Sequence, residues 1–557
     1  MNLLPMDPSV ELVRRVSSFT QKTYTEEDLR KGLPPLWTSF QVEESKKDKR
    51  VIRPDDIVIK VAKINNLRPD ARICNVENYQ YLQELKDVYA NRNANKARKF
   101  LYPFEKVGYG LFVSRAGMKL ANIDAIYNVT STFGGLLSLR SNFRFNFGDV
   151  AAGPGGFTEY IQMRNMGAMG TGMTLKMDVT GKEANRNWNL NVIDRNRFYI
   201  EDGDDGTGNL YTQWRVFVRK VRGSYPQGID LITGDGGFEI ESDDPTDTDY
   251  SRQEFLSSRL LAAQIMIAIS CLRDGGSTVI KIFDSVTSVS SSYLYLMSLL
   301  FEEFSLFKPL MSRPGNGERY IIGKNFRSKR SDLGPEWADT ASIIQNKFEN
   351  ILDAYSNTDS IVSIFSDKLG TIVETKERGN QLLPYIGSED FMEWLYKINT
   401  ISIDLQINFA EAMKAYLDGT KMENLANDFD LRKCLIIWNL PDTPPFVNPK
   451  EYLETQRNLD SKQDQTTQWD PRKQVPRETF VSRGRGRPTE QRSRDTRSPK
   501  KVSIPKQRSR DTTDYREEQS NLSPKRDSYG TDEGRQLSPR GPNITTIDKF
   551  RKQAAFM

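Results

Sequence analysis

A glycine-rich turn between a strand pattern and a helix pattern is the feature that most restricts how this chain can fold. The turn reads DVAAGPGGF from Asp149 to Phe157. Phenylalanines alternate with polar residues over 142–147, which predicts a strand, and residues 158–164 can continue as a helix. Glycines let a ligand approach the backbone, and a helix start offers unpaired N–H groups. The spacing matches neither the dinucleotide-binding motif nor the P-loop. By spacing alone, the turn is either a nucleotide-type cofactor pocket or an ordinary glycine-rich turn.

Strand and helix patterns alternate from about residue 99 to residue 330. The predicted strands lie at 145–151, 170–175, 229–233, 277–283 and 319–323, and the predicted helices at 118–126, 158–164, 214–221, 254–273 and 292–304. Such alternation predicts an α/β fold with a mostly parallel, doubly wound sheet. Ligands of these sheets bind at the carboxyl ends of the strands, near the point where the strand order reverses.

The segments on either side of this region differ in composition. Residues 1–98 form an N-terminal extension with a helix pattern over 79–97, and 331–445 is mainly helical by pattern, with candidate helices at 341–355 and 405–417. From about 446 to 557, apolar residues become sparse and short RS and RG runs appear. Such a segment cannot bury enough apolar surface to offset its ordering entropy, so we expect a disordered basic tail. The tail fits RNA or partner contact and a merely solubilising role equally well.

The residue composition excludes several kinds of chemistry. The 557 residues include no histidine, which excludes Ser-His-Asp and Cys-His nucleophile systems and histidine-containing metal sites. Three cysteines lie far apart, so we expect no metal site, no disulfide framework and a reducing compartment. The net charge is only +5, so nucleic-acid affinity must come from local clustering of basic residues. We also expect no signal peptide, no secretion and no membrane association.

Four charged residues occupy informative positions in these patterns. Lys119 lies near a helix start, Asp235 follows strand 229–233, Lys281 ends an apolar strand, and Glu318 precedes the last strand. A lone lysine or glutamate is usually a solvated surface charge. A lysine that closes an apolar strand is partly desolvated, which lowers its pKa and lets it act as a base. Since Asp235 and Lys281 both follow strands, we expect them to meet over the cofactor cleft.

The motifs at 149–157, 235–238, 281–284 and 312–320, together with the surroundings of Lys119, resemble the FtsJ-like RNA 2'-O-methyltransferases with a Lys-Asp-Lys-Glu tetrad. Within that family the chain resembles the cap-specific mRNA nucleoside-2'-O-methyltransferases that make cap 1, through the stretches at 170–176, 307–309 and 431–442. The resemblance covers about residues 80–445. Five motifs in the right order are more specific than any one of them.

This resemblance implies a Rossmann-like methyltransferase fold, S-adenosylmethionine as methyl donor, and methylation of the ribose 2'-OH on the first transcribed nucleotide of capped mRNA. Lys281 would be the base, Asp235 and Lys119 would orient the hydroxyl and tune Lys281, and Glu318 would support them. The implied cofactor contacts are Ser114, Asp149, Ala151, Ala152, Gly153, Pro154, Gly155, Gly156, Phe157, Asp205, Asn209 and Leu210. The animal enzymes carry Asp where this chain has Asn209. The implied cap and RNA contacts are Lys86, Tyr89, Arg98 and Asn316.

Two alternatives to this function stay open. One is 2'-O-methylation at another cap-proximal nucleotide or on another RNA, because the tetrad recognises only the ribose. The other is a catalytically silent RNA-binding scaffold, which would carry a broken tetrad or a filled glycine turn; both motifs are intact here. The expected partners are the 5' end of capped mRNA and, through the tail, RNA polymerase or the capping machinery. We expect the nucleus as the location for a cellular protein, and the cytoplasm or virion for a viral one.

Overall fold

The computed structural model describes the residues that build the sheets and their flanking helices. The described residues are 39–40, 54–63, 68–91, 93–102, 104–105, 112–130, 144–165, 167–176, 187–237, 252–356, 369–376, 382–384, 387–421, 435, 438 and 440. The predicted basic tail, 446–557, lies outside them. No helix in these ranges is long and apolar enough to cross a membrane.

The chain alternates strands and helices through its central part. The strands are β1 (Ser39–Phe40), β2 (Ile57–Lys63), β3 (Phe145–Val150), β4 (Ala168–Met173), β5 (Phe198–Ile200), β6 (Ile229–Gly234), β7 (Leu272–Phe283), β8 (Phe301–Phe307), β9 (Glu318–Phe326), β10 (Leu369–Lys376) and β11 (Leu382–Pro384). The α-helices are α1 (Val76–Leu85), α2 (Ala94–Leu101), α3 (Arg115–Tyr127), α4 (Gly156–Arg164), α5 (Leu210–Ser224), α6 (Arg252–Cys271), α7 (Ser288–Ser298), α8 (Thr340–Ser356) and α9 (Glu389–Leu417).

The main sheet has the strand order β1-β8-β9-β7-β6-β3-β4-β5. Strands β7, β6, β3, β4 and β5 are parallel to their neighbours in this series, whereas β9 runs antiparallel to both β7 and β8. From β3 the chain moves outward to β4 and β5, and later returns to β6 on the other side of β3. The strand order therefore reverses beside β3, where ligands of such sheets bind.

Helices cover both faces of this sheet. Neighbouring residues of β6 belong to opposite cores: Ile232 packs with residues of α5, α6, α7 and α8, and Leu231 packs with residues of α3, α4 and α9. Both side chains are fully buried. Because successive strand residues point to opposite faces, a strand buried on both sides is apolar at nearly every position. This accounts for the paired apolar residues Leu231 and Ile232 in β6 and Val279 and Ile280 in β7.

A second, three-stranded sheet joins the two ends of the described region. Its strand order is β11-β10-β2, with both pairs antiparallel. Strand β2 also receives a hydrogen bond from α8, since Lys347 Nζ donates to the carbonyl oxygen of Ile57 at 2.9 Å. The segment that precedes β3 and the segment that follows β9 are therefore held together. The predicted domain limits at residues 98, 330 and 445 stay a prediction.

The predicted α/β architecture with a mostly parallel, doubly wound sheet is confirmed. Each of the five predicted strands overlaps an observed strand, and the helices predicted at 118–126, 158–164, 214–221, 254–273 and 341–355 are present with shifted ends. The candidate helix at 405–417 is the last part of the longer α9, which begins after Ser388. The Ser388 hydroxyl caps this helix by accepting a hydrogen bond from the Phe391 N–H.

Three predicted elements were wrong in extent or type. The helix predicted over 292–304 ends at Ser298, and β8 begins at Phe301. Phe301 and Phe304 have helical spacing, yet both are buried where β8 pairs with β9. Strands β10 and β11 lie inside the region predicted as mainly helical. The helix predicted over 79–97 is split into α1, a 3-10 helix and α2. The Asn91 side chain accepts a hydrogen bond from the Asn93 N–H, which competes with continued helix.

Candidate active site

The register of three parallel strands brings their carboxyl ends to the same level. Val150 of β3 pairs with Gly234 of β6, and Gly234 pairs with Ile280 of β7. The residues one step further along the chain are Ala151 in the glycine turn, Asp235 and Lys281. The sheet register alone therefore brings the predicted cofactor turn, Asp235 and the predicted base Lys281 side by side.

Asp235 and Lys281 form one ion pair of the cleft, with Lys281 Nζ 3.2 Å from Asp235 Oδ1. The same carboxylate oxygen accepts a hydrogen bond from the Tyr320 hydroxyl at 2.6 Å. Tyr320 pairs directly with Lys281 across β9 and β7. Burial and the nearby Asp235 carboxylate raise the pKa of Tyr320, so its hydroxyl stays a donor. Two donors on one oxygen fix the direction of the Asp235 side chain.

Lys119 and Glu318 form the second ion pair. Lys119 lies in the second turn of α3, and its Nζ is 2.7 Å from Glu318 Oε1 at the start of β9. The Ser312 hydroxyl donates to the same carboxylate oxygen at 2.5 Å. Burial opposes ionisation of Glu318, but the charges of Lys119 and Lys281 lower its pKa well below the ordinary value. The carboxylate is thus held ionised beside both lysines.

These contacts bring all four predicted tetrad residues into one nearly closed cluster. Their side chains keep between 9% and 17% of their surface exposed, so all four are largely shielded from solvent. Two lysines and two carboxylates make the cluster neutral overall. In such a partly desolvated site, charge interactions with a reacting group are stronger than they are in water.

The glycine turn brings the start of α4 against the start of α3. Gly155 is the N-terminal cap of α4 and has a left-handed backbone with φ of 104°, which favours glycine. A Cβ atom on Gly156 would lie only 2.4 Å from the Ser114 hydroxyl oxygen. Ser114 in turn caps α3 by accepting from the Ala116 N–H at 3.3 Å. Two helix N-termini therefore converge here and favour a negatively charged ligand group.

Asp149 lies behind this turn and is fully buried. Its carboxylate accepts hydrogen bonds from the Thr158 hydroxyl at 2.7 Å, from the Thr158 N–H at 3.1 Å and from the Thr233 hydroxyl at 2.7 Å. Burial raises the pKa of Asp149 to about 7 despite these donors, and the charge of Asp235 adds to the rise. Asp149 thus joins β3, β6 and the first turn of α4.

Around the turn, the other predicted cofactor residues are close-packed. Ala152, Phe157 and Leu210 are buried. The Gly153 N–H donates to the Thr174 hydroxyl at 3.1 Å, and the Pro154 carbonyl accepts from the Asn189 N–H at 3.0 Å. The turn is therefore tied to the segments that follow β4.

The loop between β5 and α5 contacts the segment that follows β4, where the Lys176 N–H donates to the Thr207 carbonyl oxygen at 2.8 Å. Asp205 is exposed and accepts from the Thr207 and Gln213 side chains, both at 2.8 Å, so it orders its own loop. The Asn209 side chain caps α5 by accepting from the Tyr211 N–H at 3.0 Å. Asp202 pairs with Lys176 through Oδ2 at 2.6 Å. Its other oxygen is buried and accepts no hydrogen bond from the described residues.

The predicted cap and RNA contacts gather around the loop that precedes β9. A Cβ atom on Gly315 would lie 1.9 Å from the Tyr89 hydroxyl oxygen, so Tyr89 lies directly against this loop. Asn316 belongs to the loop and is half-buried. Arg98 forms an ion pair with Glu105, which also binds Arg313 of this loop. Lys86, in contrast, is 5% exposed and offers little surface to a ligand.

Glu105 holds three arginines at the mouth of this cleft. Its carboxylate is 3.3 Å from Arg98 Nε, 3.1 Å from Arg115 Nη1 and 2.5 Å from Arg313 Nε. Burial opposes ionisation of Glu105, but hydrogen bonding from Arg313 and the three positive charges lower its pKa. One carboxylate cannot neutralise three guanidinium groups. The cluster therefore keeps an excess of positive charge beside Ser312, which holds Glu318.

Sequence reasoning missed Tyr320, Lys308 and Glu105 as members of this site. Tyr320 could have been found, because it lies two residues after Glu318 in a strand and so points to the same face. Lys308 is fully buried and donates to Asn316 and to the Glu318 backbone, and burial lowers its pKa to about 7. No local pattern distinguishes such a buried lysine from a surface lysine.

Comparison with known proteins agrees with this geometry. Residues 112–326 match the family model described as FtsJ-like methyltransferase. This range includes both ion pairs, the glycine turn and the main sheet from β3 to β9. The chain thus contains a region, residues 112–326, that is similar to the FtsJ-like methyltransferases.

Several curated relatives share the name cap-specific mRNA (nucleoside-2'-O-)-methyltransferase 1. The protein of Danio rerio is 32% identical over 384 residues, which are 65% of this chain and 42% of the relative. The human protein is 29% identical over 381 residues, with the same coverage of 65% and 42%. The Drosophila melanogaster protein is 29% identical over 389 residues, covering 67% and 45%. The chain spans less than half the length of these curated relatives.

Proposed function

We propose that this chain transfers the methyl group of S-adenosylmethionine to the ribose 2'-OH of the first transcribed nucleotide of capped mRNA, converting cap 0 to cap 1. The observation that carries the proposal is the pair of buried ion pairs, Lys119–Glu318 at 2.7 Å and Lys281–Asp235 at 3.2 Å, beside the glycine turn. The names of the relatives support cap-specific mRNA as the RNA class and the ribose 2'-oxygen as the methylated atom. The first transcribed nucleotide is part of the proposal.

The residues of the turn fit the proposed cofactor. Two converging helix starts suit the carboxylate of its amino-acid part. One Asp202 oxygen is buried and has no hydrogen-bond partner among the described residues, so it suits a hydroxyl or amino donor of the adenosine part of the cofactor. When bound, the cofactor supplies a methyl group already activated as a sulfonium. Ser114, the turn from Ala151 to Phe157, and Asn209 with Leu210 stay the proposed contacts, together with Asp205. We assign Asp149 to the support of the turn from behind.

Lys281 is the proposed base, and it must hold a neutral amine when the 2'-OH arrives. Asp235 keeps that amine aimed at the cleft because its oxygen is already fixed by Tyr320. Lys119, balanced by Glu318, places a positive charge where the oxygen develops negative charge. Aligning the hydroxyl for in-line attack and removing its proton are the two tasks left to the protein.

The cluster of Arg98, Arg115 and Arg313 supports an RNA substrate, because its excess positive charge favours phosphate groups. The ring of Tyr89 can stack on a methylated, cationic guanine. Asn316 and Lys86 stay proposed cap or RNA contacts. We propose RNA polymerase or the capping machinery as the partner of the tail. The nucleus is the proposed location for a cellular protein, and the cytoplasm or virion for a viral one.

The substrate is tested by methyl transfer from labelled S-adenosylmethionine to three short RNAs with the same sequence. One carries an N7-methylated cap, one an unmethylated cap and one no cap. We expect labelling of the first transcribed nucleotide of the capped RNAs. Equal labelling of all three would overturn the cap assignment and favour 2'-O-methylation of another RNA. Absence of labelling on every RNA, with intact RNA binding, would favour the silent scaffold.

The base is tested by Lys281→Met, with Lys324→Met as the matched control. Lys324 lies on neighbouring β9 and pairs with Glu303 at 3.6 Å, away from the cleft. General base catalysis contributes about 10²- to 10⁴-fold, so the Lys281 variant should lose activity by that order while the control keeps it. Full activity of the Lys281 variant would refute the assigned base.

A further inference from the structure

A completely buried lysine lies behind the tetrad. Lys308 follows β8 and exposes none of its surface. Its Nζ donates hydrogen bonds to the Asn316 backbone oxygen at 2.7 Å, to Asn316 Oδ1 at 2.9 Å and to the Glu318 backbone oxygen at 2.9 Å. When Lys308 is protonated, its ammonium group has three hydrogens, and these three acceptors use all of them. The side chain is fully committed to one short loop.

This contact controls both ends of the segment from Asn316 to Glu318. At one end, Lys308 occupies the carbonyl oxygen of the Asn316 amide. At the other end, it holds the backbone of Glu318, whose carboxylate pairs with Lys119 at 2.7 Å. The Asn316 amide nitrogen has no hydrogen-bond partner among the described residues, and Asn316 is half-buried. The orientation of the amide therefore follows from the lysine.

The opposite side of the loop is also confined. Tyr89 packs so closely on Gly315 that a Cβ atom there would lie 1.9 Å from its hydroxyl oxygen. The Gly315 backbone therefore cannot shift toward Tyr89. If the Asn316 amide rotated by half a turn, its NH2 group would replace Oδ1 as the group that faces the Lys308 ammonium, and two donors would then face each other. Such an exchange would leave a buried charged donor unsatisfied.

We propose that Lys308 is a positioning residue that fixes the Asn316 amide so that it offers only a hydrogen-bond donor to the RNA. The RNA group that meets Asn316 is then a hydrogen-bond acceptor. The same lysine sets the backbone that carries Glu318 to Lys119. This inference rests on the proposed function, because it takes RNA to lie over this loop.

The test measures the affinity of the full chain for fluorescently labelled capped RNA by anisotropy, in Asn316→Ala, Asn316→Asp and Lys308→Met variants. Asn316→Ala should weaken binding by about tenfold, since it removes one hydrogen bond to a charged or polar RNA group. Asn316→Asp keeps an oxygen for Lys308 but turns an acceptor toward the RNA. It should therefore weaken binding more than Asn316→Ala does.

Lys308→Met should weaken RNA binding by about as much as Asn316→Ala, and combining the two should cost little more, because both act through one contact. Lys308→Met should also lower kcat through Glu318, whereas Asn316→Ala should mainly raise KM for RNA. Lys324→Met is the control for loss of a lysine charge. Calorimetric binding of S-adenosylmethionine, unchanged in all variants, establishes that each is folded.

Wild-type RNA affinity in Asn316→Asp would overturn the assigned amide orientation, even if Lys308→Met failed to fold. Independent, multiplying losses for Lys308→Met and Asn316→Ala would overturn the positioning role. Failure of the proposed function gives a different result. The wild-type chain would then methylate an uncapped RNA in preference to capped RNA. The affinities of the same variants would in that case be measured with the uncapped RNA.

Discussion

Replacement of Gly156 by alanine tests the convergence of α3 and α4 that forms the glycine-turn pocket. The added Cβ would lie 2.4 Å from Ser114 Oγ, 3.0 Å from Gly117 N and 3.2 Å from Ala116 Cβ. The serine hydroxyl could rotate away, but it would abandon its capping bond, at a cost of about 1 kcal/mol. The backbone nitrogen cannot rotate away. The two helix starts must therefore separate, and overpacking of this kind costs about 1–3 kcal/mol.

The alanine also stabilises α4, because it is a better helix former than glycine by about 1 kcal/mol. This gain offsets the lost cap, so Gly156→Ala should lower the free energy of unfolding by about 1–3 kcal/mol. The matched control is Gly223→Ala, in the last turn of α5. Gly223 is exposed and a Cβ there meets nothing within 4 Å. The control should be stabilised by about 0.5–1 kcal/mol.

Urea denaturation of both variants, followed by fluorescence, measures the difference directly. Calorimetry with S-adenosylmethionine should also show weaker binding for Gly156→Ala only, because the pocket opens where Ser114 and the turn meet. If Gly156→Ala were as stable as Gly223→Ala, the two helix starts would not be in close contact, and the derivation of the pocket from them would be refuted.

Two further predictions concern pH. The pKa of Glu318 is lowered in the folded state, so this residue contributes stability above its unfolded pKa of about 4.5, and the contribution is lost as the pH falls. Glu318→Gln should flatten the acid side of the stability curve, and an unchanged acid slope would contradict the assigned ion pairs. The contribution of Asp149 to stability depends on pH in the opposite direction, because burial raises its pKa to about 7. The folded state then binds the extra proton, and stability falls as the pH rises from about 4 to about 7. Asp149→Asn should remove this decline in denaturation curves; parallel curves for variant and wild type would show that Asp149 is not buried as described.

Two members of the tetrad can be placed from sequence because each follows an apolar strand run with a strong local signal. Asp235 and Lys281 directly follow apolar strand runs, and parallel strands end at one edge. Glu318 and Lys119 were harder to place by pattern, and the family resemblance supplied them. Their pairing at 2.7 Å depends on how α3 packs against β9, which no local pattern encodes.

The errors in the predicted fold also arise where tertiary contacts, and not local sequence patterns, determine the structure. The sequence predicts helix where β8 lies, because the spacing of Phe301 and Phe304 is compatible with a helix. Only the pairing of β8 with β9 shows that this segment is a strand. Strand β10 was missed because its partner β2 lies on the other side of the methyltransferase domain in sequence. Lys308 was recognised only as part of a motif. Its role depends on complete burial, which is a property of the assembled loop.

The pairing of β2 with β10 has a consequence for how the chain matures. On a ribosome, residues 57–63 emerge early, but the strand that completes their hydrogen bonding is made only after the whole main sheet has been synthesised. Among the described residues β2 has no other strand beside it. Strands β3 to β9 can thus pair first, whereas β2 pairs only after residues 369–376 have been synthesised. A chain stopped after β9 would leave both edges of β2 without a partner strand, so a unit for expression has to include β10.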